Sequence, residues 1–179
     1  MQDIAGQFGE AYERYSDELF RHAALRLSDR ERALELTQEA FLKTWEYMSK
    51  GNEVRELRPF LYRTLRNLII DEYRKNKNLS LEGIAEKNEE SGGIDALVPA
   101  DETNTLETAI ERFDGARALE ALKGLPDSYR EVLSMRYVDG FSPKEIAESI
   151  GENENAVSVR IHRGLKKLKA ALEPEEKPA

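Results

Sequence analysis

Ser142–Pro143–Lys144–Glu145 marks a helix start on which several signals agree. The serine hydroxyl can satisfy a free amide of the first turn, and the glutamate three residues on can reach back to the amide of the cap. Proline suits the first helical position, where its missing N–H has no intrahelical partner to lose. Ile146, Ala147 and Ile150 then form a short apolar side, Gly151 permits a turn, and Asn153 can cap a second helix. Val157, Ile161, Leu165, Leu168 and Leu172 follow at spacings of four, four, three and four, which keeps them on one side of that helix. A short helix, a glycine-containing turn and a longer basic helix make a helix-turn-helix, whose second helix can enter a DNA major groove about 12 Å wide.

Helical spacing runs through the rest of the chain. Phe8, Tyr12, Tyr15, Leu19, Ala23 and Leu27 line one side of a first helix. Ser28 with Glu31 predicts a capping box and a second helix, with Ala33, Leu36, Ala40, Phe41 and Thr44 inward, interrupted by Gly51 and Asn52. Pro59 predicts a third helix start, with Leu61, Leu65 and Leu68 as its seam. Further helical signals cover 106–123 and 126–138, punctuated by Pro126. The expected fold is all-α: a helical domain over 1–78, an acidic flexible linker over 79–105, a helix-turn-helix domain over 106–172 and a flexible tail over 173–179.

Charge sharpens this division. The chain is net −8, but residues 54–78 carry seven basic and three acidic groups, net +4, and residues 158–170 carry five basic and no acidic groups, net +5. Between them, 79–115 has two basic and ten acidic groups, net −8. Phosphate is neutralised by nearby cations and not by a whole-chain sum, so the two basic helices are the surfaces fit to meet nucleic acid; on composition alone they are equally solvated helix faces. Gly92, Gly93, Pro99 and the dense acids of 79–105 read as a mobile connector, although Leu81, Ile84, Ile94, Leu97 and Val98 offer docking points.

The absence of cysteine excludes a disulfide framework, a thiolate nucleophile and a Cys-ligated metal. His22 and His162 are the only histidines, and Glu35 with Glu39 is a lone carboxylate pair without the second Glu/His pair of a di-metal site. No phosphate loop, dinucleotide loop or nucleophile triad is evident, so neither catalysis nor a metal or other cofactor is expected. No stretch reaches the roughly 20 apolar residues of a membrane span, and the first residues lack an export-signal pattern, so a cytoplasmic protein without membrane insertion is expected.

Four blocks in order carry a resemblance: LTQEAFLKTW at 36–45, RPFLYRTLRNLIIDEYRK at 58–75, LKGLPDSYREVLSMRYVDGFSPKEIAESI at 122–150 and AVSVRIHRGLKKLKAAL at 156–172. Together the chain resembles a short, extracytoplasmic-function sigma factor of the bacterial sigma-70 family. The resemblance implies binding to core RNA polymerase at its β′ clamp and β flap, recognition of −10 and −35 promoter elements, promoter melting, and control by an anti-sigma factor. It places polymerase contact on Glu35, Gln38, Glu39, Lys43 and Trp45, the last also a structural indole. It places −10 recognition on Asn52, Arg55, Arg63, Arg66, Asn67, Arg74 and Lys75, where melted single strand calls for base capture and backbone cations. Tyr62 and Tyr73 are either stacking rings or partly buried structure, and Asp71 is expected to orient an arginine or close a surface network and not to meet DNA directly. For the −35 duplex it implies Asn155, Ser158, Val159, His162 and Arg163, with Arg160, Lys166, Lys167 and Lys169 on phosphate. The family commonly has a basic residue where this chain has Ser158, so its base preference is expected to differ.

Overall fold

The structure, a computed structural model, describes residues 3–79 and 115–173. Among them every regular element is helical: α1 (Ile4–Leu27), α2 (Arg30–Ser49), α3 (Leu57–Leu79), α4 (Gly115–Lys123), α5 (Asp127–Leu133), a π turn (Ser134–Val138), α6 (Pro143–Ile150) and α7 (Glu154–Leu172). The expected acidic linker, the stretch 106–114 and the tail beyond residue 173 lie outside the described residues.

The first three helices form one apolar interior. Leu19 and Ala23 of α1, Leu36 and Ala40 of α2, and Leu61, Leu65 and Ile69 of α3 are buried together. Ile69 and Tyr62 widen the α3 seam beyond the expected leucines, so this helix is covered along more of its girth than one stripe. Phe8 closes the open end by meeting Phe41 and Trp45 edge to face, with ring centroids 5.9 and 5.1 Å apart.

The α1–α2 joint departs from the expected capping box. Asp29 is the N-cap of α2, accepting from the Arg32 amide at 3.0 Å, while Ser28 ends α1 with φ 56°. A two-residue connection needs one left-handed residue to reverse the chain, and that conformation withdraws Ser28 from the capping position. Pro59 is likewise the third residue of α3 and not the first, a position whose amide is also free of an intrahelical partner.

In the C-terminal half the capping box at Ser142 forms in full. Glu145 N–H donates to the Ser142 hydroxyl at 3.2 Å, and the Ser142 amide donates to the Glu145 carboxylate at 2.7 Å. Gly151 takes φ 71° in the turn and Asn153 caps α7. Val132, Leu133, Ile146, Val157 and Leu168 make the core. A Cβ at Gly164 would stand 3.1 Å from Leu133 and 3.2 Å from Tyr129, so a glycine lets α7 lie close against α5. The expected 126–138 helix is split: α5 gives way at Ser134 to the π turn, whose wider spiral aims Asp139 and Phe141 toward the N-terminal half.

The two halves dock. α1 meets α5 and the π turn, and α3 meets α6. Tyr62 of α3 lies edge to face with Phe141, centroids 4.8 Å apart, and both are almost wholly buried. His22 packs beside them, 3.2 Å from the Ser134 hydroxyl and 3.4 Å from the Asp139 carboxylate.

Candidate nucleic-acid and polymerase interface

The α2 surface opposite the core presents the residues expected to meet polymerase. Glu35, Gln38 and Lys43 are exposed and Glu39 is half-buried. Glu35 accepts from Arg32 at 2.7 Å, and Glu39 lies 3.9 Å from Lys43. Trp45 is half-buried against Phe8, which makes it a support for this face as well as part of it. Leu34 and Leu42, 49% and 56% exposed, flank Gln38 one helical turn to each side. Helical spacing could have flagged them as two large apolar groups on the outward side of an otherwise polar face.

Asn52 and Arg55 sit on the exposed loop between α2 and α3. Gly51 turns the chain there with φ 86°, and the Asn52 side-chain amide donates to the Tyr47 carbonyl at 2.9 Å, tying the loop to the end of α2. The loop borders an open cleft of about 870 Å³ that also reaches the start of α1 and, across the docking face, Phe141 and Glu145.

Along α3 the expected cations fall into two groups. Asn67, Arg74 and Lys75 are exposed, and Arg74 lies 3.6 Å from Asp71. Arg63 and Arg66 face the C-terminal half. Arg63 donates to the Glu148 carbonyl, and Arg66 Nε donates to Glu131 at 2.7 Å while approaching Glu152 at 3.9 Å. Arg58, not among the expected site residues, donates to Glu18 at 2.7 Å and to the Asp139 carbonyl at 2.5 Å, with its guanidinium 4.0 Å from the Phe141 ring centroid. Burial works against its charge, but Glu18 outweighs that effect and holds the group protonated.

Tyr62 and Tyr73 both lie where the two halves meet. Tyr62 is 2% exposed, and burial, then the nearby Asp139 and Glu18 charges, push its hydroxyl far above the ordinary phenol range. The Tyr73 hydroxyl bridges the halves, 2.7 Å from the Arg26 carbonyl and 2.9 Å from the Asp127 carboxylate.

On α7, Asn155, Lys166, Lys167 and Lys169 are exposed, while Ser158, Val159, Arg160, His162 and Arg163 are half-buried. The Lys167 ammonium lies 5.7 Å from the Tyr129 ring centroid, so its stem follows an aromatic surface while its head stays in water. Arg160 donates to Glu152 at 2.7 Å. Glu152 therefore holds one arginine of α7 and faces one of α3, bringing together cations that the sequence places 94 residues apart at Arg66 and Arg160.

Residues 11–79, covering most of α1 with α2 and α3, match the family described as Sigma-70 region 2, and residues 116–168, covering α4 to most of α7, match Sigma-70, region 4. The chain belongs to the sigma-70 family. Within it, the ECF RNA polymerase sigma factor SigL of Mycobacterium tuberculosis is 29% identical over 163 residues, 90% of this chain and 86% of that protein. SigW of Bacillus subtilis is 28% identical over 92% of this chain and 88% of its own length. BldN of Streptomyces coelicolor is 26% identical over 96% of this chain, which spans 62% of that longer relative. The fold resembles sigma factor RpoE of Bartonella quintana, solved with the anti-sigma factor NepR, at TM-score 0.69 and 20% identity over 95% of this chain and 99% of that one. It also resembles CnrH, solved with the cytosolic domain of CnrY, at TM-score 0.63 and 24% identity over 92% of this chain and 86% of that one. This sigma factor is thus of the extracytoplasmic-function type, and no described helix is long and apolar enough to cross a membrane.

Proposed function

We propose that this sigma factor binds core RNA polymerase through the outward face of α2, captures the melted −10 strand with the α2–α3 loop and α3, and reads the −35 duplex with α7. The carrying observation is the coincidence of two independent features. The region 2 and region 4 matches fall in order along one chain, and each covers a helical unit that presents a basic helix.

Physical roles follow from side-chain chemistry. Gln38, Glu35 and Lys43, with Leu34 and Leu42 beside them, offer the mixed polar and apolar contact that a protein partner needs at the β′ clamp. Region 4 supplies the β flap contact. On the loop and α3, Asn52 and Asn67 can pair with base edges, and Arg55, Arg74 and Lys75 can neutralise backbone phosphate. Melting is then driven by binding energy: bases held unstacked on this surface offset the cost of opening the duplex. On α7, Asn155 and Arg163 carry side chains whose chemistry suits bidentate base contacts, whereas Ser158 is too short to reach as lysine would. Lys166, Lys167 and Lys169 anchor phosphate.

The protein works by binding and not by catalysis, requires no cofactor of its own, and acts in the cytoplasm beside the polymerase it directs. An anti-sigma partner is expected, because RpoE was solved with the anti-sigma factor NepR and CnrH with the cytosolic domain of CnrY.

The test is transcription from a pooled promoter library by purified core polymerase, with and without this protein. Protein-dependent starts sharing separated −10 and −35 elements are expected. Specific duplex binding without core binding or initiation would instead make the protein a stand-alone DNA-binding regulator.

A further inference from the structure

We infer that Glu152 is a specificity-determining residue of the helix-turn-helix: it ties down Arg160 of α7, so that this arginine sets the pose of the recognition helix and adds no phosphate contact. The inference rests on the reading of α7 as the −35 helix and gives the turn before that helix a part in discrimination.

Glu152 stands between Gly151 and Asn153 in the connection from α6 to α7, and the backbone there is held on both sides. Gly151 takes φ 71°, the Glu152 amide donates to the Ala147 carbonyl at 3.0 Å, and the Asn153 side chain accepts from the Asn155 amide at 2.7 Å. The Glu152 carboxylate therefore extends from a fixed base. It accepts from Arg160 Nη2 at 2.7 Å, a short charge-assisted bond between side chains 28% and 12% exposed. That degree of burial separates the pair from solvated surface bridges, which contribute little. At about 3.6 residues per turn, Arg160 falls on a flank of α7. Buried Val157 and Gly164 lie one turn before and after it on the inner side, and Arg163 lies beyond it toward the outward side. A guanidinium on that flank, bonded back to the turn, braces the first two turns of α7 against the end of α6.

Arg160 thus differs from the lysines of the same helix. Lys166 and Lys169 are exposed along its last turns, where a phosphate can reach them directly. A phosphate that took Arg160 would first have to displace a carboxylate already bonded to it, so that group adds little counterion release. What the bond contributes is angle. A base pair is read only when side chains such as Asn155 and Arg163 arrive at its edge in register, and that register depends on how α7 is rotated in the groove. A less constrained α7 with a released Arg160 gains sequence-independent affinity and loses discrimination.

The test is titration of the full-length protein with a labelled duplex selected by binding from a randomised pool, and with its single-base variants, over a series of salt concentrations. Arg160→Ala should lower discrimination by about fivefold or more and leave the slope of log affinity against log salt unchanged. Glu152→Ala should lower discrimination to a similar extent but steepen the slope by about 0.9, because the released guanidinium becomes one more phosphate contact. Adding Arg160→Ala to Glu152→Ala should return the slope to the parent value. Glu120→Ala, an equal loss of charge at a side chain 75% exposed on α4, should change neither reading. Glu152 also lies 3.9 Å from Arg66, and Arg160→Ala leaves that contact intact, so the arginine variant isolates the effect of the brace. Should Arg160→Ala lose its helical circular dichroism, Arg160→Gln decides by the same two readings. Unchanged discrimination in the arginine variant, a slope that falls by about 0.9 in it, or a Glu152→Ala slope equal to the parent's overturns the inference and leaves α7 as the reading helix. A parent that binds no duplex selectively overturns that reading and the inference together.

Discussion

Arg26 in the first helix and Asp127, 101 residues later, are joined by two nearly parallel hydrogen bonds of 2.7 and 3.0 Å, the fork-on-fork pairing that only arginine makes with a carboxylate. Burial alone would raise the Asp127 carboxyl, but the Arg26 bonds and charge, helped by Tyr73, bring it below its usual range. Removing the cation alone is the damaging change. Arg26→Met leaves Asp127 and Glu131 buried beside each other, at a cost of about 3 kcal/mol or more to the docked arrangement. Urea unfolding followed by circular dichroism should change from one cooperative transition to two, because each half keeps its own apolar core. Adding Asp127→Asn and Glu131→Leu to Arg26→Met should recover much of the loss, since an apolar replacement of a whole buried ion cluster is often neutral.

The outward face of α2 separates binding from support. Leu42→Asp places a charge at a position 56% exposed, so the melting temperature should hold within a few degrees while affinity for core polymerase falls by about tenfold or more. Trp45→Phe should behave in the opposite sense. The ring at Phe8 still has an aromatic neighbour, so polymerase affinity should stay within about threefold while stability drops by about 1 kcal/mol. Binding of the purified variants to immobilised core enzyme, beside thermal melts, distinguishes the two effects. Equal loss of polymerase binding in both would mean that Trp45 touches the partner directly.

Much of this architecture is legible in the amino-acid sequence. Val157, Ile161, Leu168 and Leu172, with Leu165 partly covered, and the inward residues of α2 correspond to buried side chains, because one-sided burial in a helix imprints its period on the sequence. Ser142 and Glu145 were readable for a related reason: a capping box is local chemistry, settled within four residues. Ser28 misled because Asp29 is an equally good cap, and the choice between them depended on how tightly α1 had to turn into α2. The docking face was invisible. Arg26 and Arg66 look like ordinary surface cations until Asp127 and Glu131 are brought to them from the other half, and no periodicity records a pairing over 65 to 105 residues. Arg63 and Arg66 accordingly read as DNA contacts, and nothing in the sequence signals that the same groups have an internal partner.

The capping box should give the helix-turn-helix a small acid-sensitive stability. The hydrogen bond from the Ser142 amide, and after it the Ser142 hydroxyl, hold the Glu145 carboxyl below its ordinary value of 4.5. A carboxyl lowered in the folded state stabilises above its unfolded value and loses that contribution as pH falls through its folded value. Glu145→Gln removes the charge at every pH. The stability gap between parent and variant should therefore be constant near neutrality and close as pH falls below 4.5. Ser142→Ala should cost about 1 kcal/mol near neutrality by deleting the hydroxyl cap. Denaturant titrations of the full chain at a series of pH values check both, and a gap that widened in acid would contradict the assigned bonds.

On α7, position and chemistry predict two kinds of loss when promoter duplex is bound. Lys166→Ala and Lys169→Ala remove exposed ammonium groups from the C-terminal stretch of the helix. Each should weaken duplexes of all sequences to a similar extent, and each should lower the slope of log affinity against log salt by about 0.9. Asn155→Ala removes an exposed amide at the helix start, where a recognition helix presents its first side chains to base edges. It should cost about 1–3 kcal/mol against the preferred −35 sequence, leave the salt slope unchanged, and relax discrimination at one base pair. Fluorescence titrations with the selected promoter and with single-base variants, repeated at several salt concentrations, separate the two patterns. Ser158→Lys supplies the complementary case: the longer cation should add about one unit of salt slope and shift base preference, because it restores reach at the position where the native hydroxyl stops short of the groove floor.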